Sequence, residues 1–309
     1  MATTTNITTT YAGEFAGTYV SAALLSGKTL AENLITIKPN IKFKEVMKKV
    51  ATTDLVKDAT CDFDPTSTLT LTERILQPEE FQVNLQLCKK DFRNDWEAVS
   101  MGFSAYDNLP PSFADFLIAH AADKVAQKME QNIWNGTNAN AGEFDGFKTT
   151  LLADGDVVDV AAVGGGVDSS NVVAQLGRIV DVIPSAVYGT EDLFIYVSSN
   201  IYRAYVRALG GFASNVGAAG TDNKGTQWFN GGALTYDGIN IVLASGLAAN
   251  TAVAAQKSNL FFGTGLLNDQ NEVKVIDMAD IDGSQNVRVV MRFTAGIQHA
   301  IGSDIVLYS

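Results

Sequence analysis

The sequence predicts an α+β protein, and three patterns indicate this class. Between residues 68 and 87, apolar and polar side chains alternate over two runs, which is typical of strands with one wet face. Residues 110–136 repeat apolar side chains every four positions, which predicts one long amphipathic helix. After residue 142, short apolar strands alternate with helical segments and Gly-rich loops. The chain has no internal repeat and no low-complexity linker.

The N-terminal residues 1–27 are rich in Thr, Ala, Gly and Ser, with isolated aromatic side chains. This composition cannot form a core by itself, so we expect an arm that becomes ordered against another surface. The segment 35–50 is mixed, and its sequence IKFKEVMKKV is readable as a strand or as a short helix.

The two alternating runs predict a two-stranded ribbon whose strands are joined by Gln77-Pro78-Glu79-Glu80. The neighbouring segments offer little to cover its apolar face. Because an isolated two-stranded ribbon is marginally stable in water, we expect this face to bind another surface. The apolar residues of the predicted face are Leu69, Leu71, Ile75, Phe81, Val83, Leu85 and Leu87.

The long helix is predicted over residues 110–136. Pro110 and Pro111 suit its first turn, and Gly136 suits its end. About 23 helical residues make a rod of roughly 35 Å, long enough to lie across a sheet. Its apolar stripe is Phe113, Leu117, Ala121, Val125, Met129 and Ile133.

The remaining elements follow from local signals. Asp237-Gly238 predicts a hairpin turn. Residues 91–99 are expected to be a short helix or turn, and residues 210–232 a Gly-rich loop. The predicted helices are 171–182 and 200–209, and the predicted strands are 193–197, 260–263, 273–276, 287–297 and 305–308.

Composition limits the function. The chain has 309 residues, 46% of them hydrophobic, and a net charge of −12, which argues against sequence-independent binding to nucleic acid. Apolar runs are too short for a membrane span, and no basic region precedes Lys28 to make an export signal. Seven lysines lie close together in the sequence and form either a solvated basic face or a surface that steers one copy onto the next. They are Lys28, Lys38, Lys42, Lys44, Lys48, Lys49 and Lys57.

Residues suited to catalysis or metal binding are few. Metal-ligand spacing is absent among the two histidines and two cysteines, His120, His299, Cys61 and Cys88. We expect the His120 side chain to be packed in the interior. We expect both cysteines to be reduced and half-buried. Gly164–Gly166 lacks the other residues of a phosphate loop and predicts a turn. Asp154, Asp156 and Asp159 lack the remaining positions of a calcium loop and predict a solvated loop. The sequence therefore indicates no enzyme, no metal and no cofactor.

In their order along the chain and in their residue patterns, these segments resemble the major capsid protein of tailed bacteriophages, whose fold is named for phage Hong Kong ninety-seven. FQVNLQLCKKDF resembles the returning strand of that family's extended loop, and LPPSFADFLIAHAADKVAQKMEQNIWNG resembles its spine helix. FDGF resembles the turn after that helix, and VRVVMRFTAGIQHAIGSDIVLY resembles the closing strand. Together these segments span nearly the whole chain.

The resemblance implies a division of the chain. It comprises an N-terminal arm (1–34), an extended β-ribbon loop with its base (35–92), a peripheral domain with the spine helix (93–160), an axial domain (161–272) and return strands to the peripheral domain (273–309). Some family members cross-link subunits through Lys and Asn. Lys57, near the start of the ribbon, is the only lysine placed for this role. Because the sequence identifies no partner for it, we do not predict a cross-link.

The resemblance also implies a function: a shell protein that forms hexamers and pentamers of an icosahedral or prolate phage head around DNA. It would be assembled in the bacterial host cytoplasm and located in the virion. Its partners would be other copies of itself, a portal, a scaffolding or decoration protein, and DNA contacted non-specifically, with no membrane. Because the arm starts at Met1, scaffolding is expected to be separate or absent rather than a cleaved segment.

Two alternatives stay open at this point. The first is an encapsulin-like compartment with the same fold that encloses a cargo enzyme. The second is a cytosolic enzyme or binding protein whose ribbon folds onto its own chain, with a polar pocket. Leu85→Asp distinguishes the second, because it would block assembly but leave secondary structure intact if the apolar face is intermolecular.

Overall fold

The computed structural model describes residues 28–52, 56, 58–59, 61, 69–88, 111–209, 234–265 and 273–309. The predicted arm, the segment 91–99 and the Gly-rich loop 210–232 lie outside the described residues. The chain divides into two compact units. The described part of the first unit covers residues 80–88, 111–128 and 273–294, and the second unit contains the rest.

The helices in chain order are α1 (Lys28–Ala31), α2 (Pro111–Asn135), α3 (Phe147–Ala153), α4 (Val172–Val180), α5 (Ser199–Leu209) and α6 (Ala279–Asp282). The strands are β1 (Thr36–Lys38), β2 (Glu45–Thr52), β3 (Leu69–Leu76), β4 (Glu79–Cys88), β5 (Val158–Val160), β6 (Leu193–Val197), β7 (Leu234–Tyr236), β8 (Ile239–Leu243), β9 (Ala252–Gln256), β10 (Leu260–Gly263), β11 (Val273–Asp277), β12 (Asn286–His299) and β13 (Val306–Tyr308). This mixture confirms the predicted α+β class.

The second unit contains a six-stranded mixed sheet in the order β5-β13-β9-β6-β8-β7. Helices α4 and α5 contribute apolar side chains to one core with this sheet, including Leu176, Ile201 and Ile195. The strand β9 was not predicted. Its sequence AVAAQ has neither alternation nor bulky β-branched residues beyond Val253, although four of its five residues are buried.

Three aromatic side chains fill the space where the end of α2 meets this unit. The Trp134 ring lies 5.4 Å from the Phe147 ring and 5.1 Å from the Tyr196 ring. The Tyr196 hydroxyl donates a hydrogen bond of 2.6 Å to the Leu34 carbonyl. These contacts bury aromatic area while giving the hydroxyl a partner, which is how a buried tyrosine is stabilised. They attach the chain after α1 to the sheet.

Two further sets of strands belong to the second unit. β1 is parallel to β10, and β10 is antiparallel to residues 296–299 of β12. β2 and β3 form a separate two-stranded antiparallel sheet, here called the ribbon.

In the first unit, β11 pairs with residues 287–291 of β12, and β4 also pairs with β12.

The prediction that β3 and β4 pair with each other is wrong. β3 pairs with β2, and the segment that was readable as strand or helix is therefore a strand. A tight hairpin needs residues with positive φ, and the link Gln77–Pro78 has none. The link instead lies against Gly296, where an added Cβ would be 2.8 Å from the Gln77 carbonyl oxygen.

The other predicted elements agree closely with the structure. The long helix runs over Pro111–Asn135, and the two shorter helices over Val172–Val180 and Ser199–Leu209. Asp237 and Gly238 both have positive φ, 46° and 79°, as a primed hairpin turn between β7 and β8 requires. Of the predicted helix stripe, Ala121, Met129 and Ile133 are buried and Val125 is half-buried, while the side chains before residue 120 are not described.

Candidate functional site

The register of the ribbon sets which side chains share a face. Val46 lies opposite Ile75, and Lys48 lies opposite Glu73. Side chains directly opposite each other in an antiparallel pair point to the same face, and alternate residues repeat that face. Val46, Ile75, Leu71 and Leu69 therefore share one face with the Lys48–Glu73 pair among them.

This apolar face is exposed. The exposed fractions are 46% for Val46, 47% for Ile75, 58% for Leu71 and 63% for Leu69. Covering about half the area of four such side chains contributes on the order of 5 kcal/mol before ordering costs. Exposed large apolar residues grouped on one surface are typical of an interaction site. The ribbon thus presents an uncovered apolar face.

The base of the ribbon is attached to its own unit. Leu76 is fully buried and Ile41 is nearly so, and both pack against Gly263. A Cβ at Gly263 would lie 2.9 Å from Ile41 Cδ1 and 3.0 Å from Leu76 Cδ2, so the absence of a side chain lets the base approach β10. Gln298 Nε2 donates to the Ile75 carbonyl oxygen at 3.1 Å.

The other predicted interface residues lie on β4, in the first unit. Phe81 and Val83 are half-buried, and the Phe81 ring lies 5.6 Å from the Phe293 ring of β12. Leu85 is 40% exposed, whereas Leu87 is buried. The seven residues therefore do not form one face of one hairpin: three lie on the ribbon and four on β4. Val46 on β2, which was not predicted, shares the ribbon face.

Four of the predicted basic residues lie at and beside the ribbon, whereas Lys57 lies outside the described residues. Lys42, Lys44 and Lys48 are exposed, and Lys49 is half-buried. Lys44 Nζ lies 5.2 Å from the centre of the Phe43 ring, itself 71% exposed. The ribbon therefore carries exposed positive charge next to exposed apolar area.

A cluster of three polar side chains joins the ribbon to the body of the second unit. Arg74 of β3 donates through Nη2 to Asp154 Oδ2, and its Nη1 lies 2.9 Å from His299 Nε2. His299 Nε2 lies 2.8 Å from the same Asp154 oxygen. Asp154 follows α3 and His299 ends β12. The cluster was not predicted from the sequence.

The environment of the cluster shifts two pKa values. Burial by itself raises the pKa of Asp154, but hydrogen bonds from His299, the Asp156 amide and Arg74, with the Arg74 charge, lower it to about 2. Burial lowers the pKa of His299; the contact with Asp154 acts in the opposite direction, and the Arg74 charge lowers it further. Near neutral pH the cluster is thus an Arg–Asp ion pair beside a neutral imidazole.

A second buried polar group fixes α1. Glu130 of α2 is 1% exposed and accepts hydrogen bonds from the Thr29 amide at 3.1 Å and the Thr29 hydroxyl at 2.6 Å. Trp134 Nε1 donates to the same hydroxyl at 2.9 Å. Burial raises the pKa of Glu130, and these hydrogen bonds and one from the Gly246 amide oppose that shift. The arrangement attaches α1 to α2.

Among the residues that the sequence suggested for catalysis or metal binding, the structure brings together His299 and Asp154, in the cluster with Arg74. Cys61 is exposed and Cys88 is half-buried, and both are free thiols. Gly165 and Gly166 have φ of 92° and 88° and make the predicted turn. Within the described ranges, no group of three or more His, Cys, Asp or Glu side chains could hold a metal ion, and no helix is long and apolar enough to cross a membrane.

The aspartate prediction is partly wrong. Asp156 and Asp159 are exposed, as a solvated loop requires, but Asp154 is half-buried in the Arg74 cluster. One signal was available: His299 is a titratable residue at the end of the apolar strand β12, a place where a buried polar side chain needs a partner. Its partners are 145 and 225 positions away, so local patterns could not identify them.

Comparisons with known proteins place the fold. No protein-family model matches the sequence, and no curated protein matches it. The capsid of the native GTA particle, computed with C5 symmetry, contains a chain that is 14% identical, with a TM-score of 0.64 over 94% of this chain and 92% of that chain. A chain of Mycobacterium phage Adephagia is 14% identical, with a TM-score of 0.60 over 94% and 92%.

A third similar structure is the capsid of the cyanophage P-SCSP1u. It is 14% identical, with a TM-score of 0.56 over 96% of this chain and 91% of that chain. The likeness extends over nearly the full length of all three chains. It confirms the predicted capsid fold of the Hong Kong ninety-seven type.

Proposed function

We propose that this chain is a major capsid protein whose copies assemble into the hexamers and pentamers of a phage head. The observation that carries the proposal is the exposed apolar face of the ribbon, formed by Val46, Leu69, Leu71 and Ile75. A two-stranded sheet with such a face gains stability from a cover, and a neighbouring copy can supply it. Head-to-tail contacts of this kind close into rings.

The likeness to capsid chains supports this function over the alternatives. The similar structures described above come from phages and a GTA particle, so an encapsulin-like compartment is not favoured. The ribbon face is exposed rather than folded onto its own chain, which argues against a compact monomeric enzyme. The proposal includes the division of the chain into an arm, an extended loop, a peripheral domain, an axial domain and return strands, with the boundaries 1–34, 35–92, 93–160, 161–272 and 273–309. It also includes a portal, a scaffolding or decoration protein, and DNA as partners.

Opposite charges on two copies would help to orient the proposed contact. Lys42, Lys44 and Lys48 are exposed on and beside the ribbon, while the whole chain carries a net charge of −12. We propose that this basic surface is drawn to acidic surface on the next copy. Complementary charge at an interface raises the rate of association and suppresses wrong registers more than it adds affinity.

The test is Leu71→Asp, compared with Leu152→Asp on α3. The two leucines are similarly exposed, at 58% and 53%, but Leu152 belongs to α3 and not to the apolar face of the ribbon. We expect Leu71→Asp to leave the subunit folded and to abolish shells in electron micrographs, while Leu152→Asp still assembles. Wild-type protein that stays monomeric under all assembly conditions, or equal assembly by both variants, would contradict the proposal.

A further inference from the structure

The cluster at the base of the ribbon contains two groups that compete for one carboxylate oxygen. Arg74 Nη2 and His299 Nε2 both contact Oδ2 of Asp154. Arg74 belongs to the ribbon, whereas Asp154 and His299 belong to elements that support its base. A change in which group holds Asp154 is therefore a change in how the ribbon is attached.

A neutral imidazole cannot satisfy both of its contacts in this cluster. Nε2 carries either a hydrogen or a lone pair. With a hydrogen, it donates to Asp154 at 2.8 Å but faces the Arg74 Nη1 donor at 2.9 Å. With a lone pair, it accepts from Arg74 but faces the Asp154 oxygen, and the hydrogen then sits on Nδ1. Nδ1 is buried without a hydrogen-bond partner among the described residues.

Protonation of His299 changes this balance. A charged imidazole donates a charge-assisted hydrogen bond to Asp154 through Nε2 and places a second cation beside Arg74. The Asp154 carboxylate can then be neutralised by His299 instead of Arg74. Because the pKa of Asp154 is held at about 2, the carboxylate stays ionised while the imidazole titrates.

The charged groups around His299 are few. Arg74 approaches from β3 and Asp154 from the end of α3; Asp156 lies next to them, and its amide donates to Asp154 Oδ1 at 3.1 Å. On the neighbouring strand β10, the residue opposite His299 is the uncharged Leu260. The balance at His299 is therefore set by one arginine and one aspartate.

We infer that Arg74, Asp154 and His299 form a proton-sensitive latch, in which protonation of His299 releases Arg74 and loosens the base of the ribbon. Leu76, Ile41 and the Gln298 hydrogen bond keep the ribbon attached after release, so the change is local rather than global. The inference rests on the geometry of the cluster and not on the proposed capsid function.

Hydrogen–deuterium exchange on the full chain tests the latch, at a dilution where light scattering shows monomers. Protection of the β3 amides, corrected for intrinsic exchange, is measured at about pH 7.5 and about pH 4, because the pKa of His299 is lowered and its protonation therefore extends below the range of an ordinary histidine. We expect the wild-type β3 amides to lose about tenfold protection at the lower pH, a factor that corresponds to about 1.4 kcal/mol. The amides of β9, in the sheet core, should keep theirs.

Three variants separate the latch from other causes. His299→Gln cannot be protonated, so its β3 protection should not depend on pH. Arg74→Leu removes the cation that the ribbon contributes to the cluster, so the β3 amides should have low protection at both pH values. His120→Gln, which changes the other histidine of the chain, should behave as wild type.

The outcomes are decisive in both directions. The latch is overturned if wild-type β3 protection does not change with pH, or if β3 and β9 lose protection together. It is also overturned if His299→Gln keeps the wild-type pH dependence. If His299→Gln does not fold, Arg74→Leu decides, because wild-type protection of β3 at about pH 7.5 in that variant contradicts the latch.

Discussion

The Thr29 hydroxyl donates a hydrogen bond of 2.6 Å to Glu130 Oε1, joining α1 to α2 across 101 positions of the sequence. The same hydroxyl accepts from Trp134 Nε1, so one oxygen links a buried carboxylate to a buried indole. Burial raises the pKa of Glu130, and the partners that oppose this shift are the uncharged hydrogen-bond donors of Thr29, Gly246 and Trp134. This anchor of α1 on α2 therefore depends on a small hydrogen-bond network.

Thr29→Val tests this anchor. The substitution keeps the shape of the side chain but leaves Trp134 Nε1 and Glu130 Oε1 without their shared partner. We expect a loss of about 2–3 kcal/mol in the free energy of unfolding, because two buried polar atoms are left without a hydrogen-bond partner. Urea denaturation measures it. Thr29→Ser, which retains the hydroxyl, should cost about 1 kcal/mol or less, and equal losses in both variants would show that the hydroxyl contributes nothing.

Gly246→Ala tests the packing under α2. A Cβ at this position would lie 2.0 Å from the Glu130 carbonyl oxygen, so the backbone must move to admit it. We expect a destabilisation of about 3 kcal/mol or failure to fold, as for a severe overpacking of the core. Gly155→Ala is the control, because a Cβ there meets no atom within 4 Å. Thermal unfolding that ranks the two variants equally would contradict the close approach.

Asp154→Asn tests the linkage between the cluster and stability in acid. The pKa of Asp154 is lowered from 3.8 to about 2, so the unfolded chain binds this proton more readily than the folded one. Its stabilisation is complete above the unfolded value and is lost as pH falls through the folded value. Nearly two pKa units correspond to about 2.5 kcal/mol.

Urea titrations from about pH 5 down to about pH 2 measure this difference. Wild type should lose about 2 kcal/mol more than Asp154→Asn over that range. Asp156→Asn, which changes an exposed carboxylate beside the cluster, is the control. Parallel pH curves for wild type and Asp154→Asn would show that the carboxylate is not held by the cluster.

Reversal of Lys42 and Lys44 to Glu tests the proposed steering surface, whereas Lys48 is left unchanged because it lies opposite Glu73 in the ribbon. Both are exposed, so we expect folding to be preserved and the rate of assembly to fall about tenfold at low salt. The difference from wild type should shrink as salt screens the charges. Light scattering follows the rate, and Lys124→Glu on α2 is the exposed control. A salt-independent defect would assign these lysines another role.

Leu85→Asp tests the second apolar surface separately, because Leu85 lies on β4 and not on the ribbon. Its exposed fraction of 40% predicts that the subunit tolerates the charge, with assembly blocked. Leu87→Asp, two residues further on the same strand and buried, should unfold the subunit instead. Circular dichroism and electron microscopy separate the two results. Unfolding by Leu85→Asp would place this side chain in an internal core.

Much of the fold follows from periodicity in the sequence. The four-residue period predicts α2 within one residue at each end, and the strand β6 is predicted with its observed bounds. The Asp237–Gly238 turn follows from two residues that tolerate positive φ. These signals are local, since each depends on residues within a few positions of one another.

The pairing of the strands and the identity of the buried polar groups were decided by tertiary structure. Alternation in β3 indicated one apolar face but could not say that β2, rather than β4, lies beside it. No local pattern joins Arg74 to Asp154 and His299, or Thr29 to Glu130, because hydrogen bonds between distant segments exist only after the chain has folded. The sequence by itself determined which segments are helices and strands and which faces are apolar. Long-range packing determined which of those faces stay exposed and which charges meet.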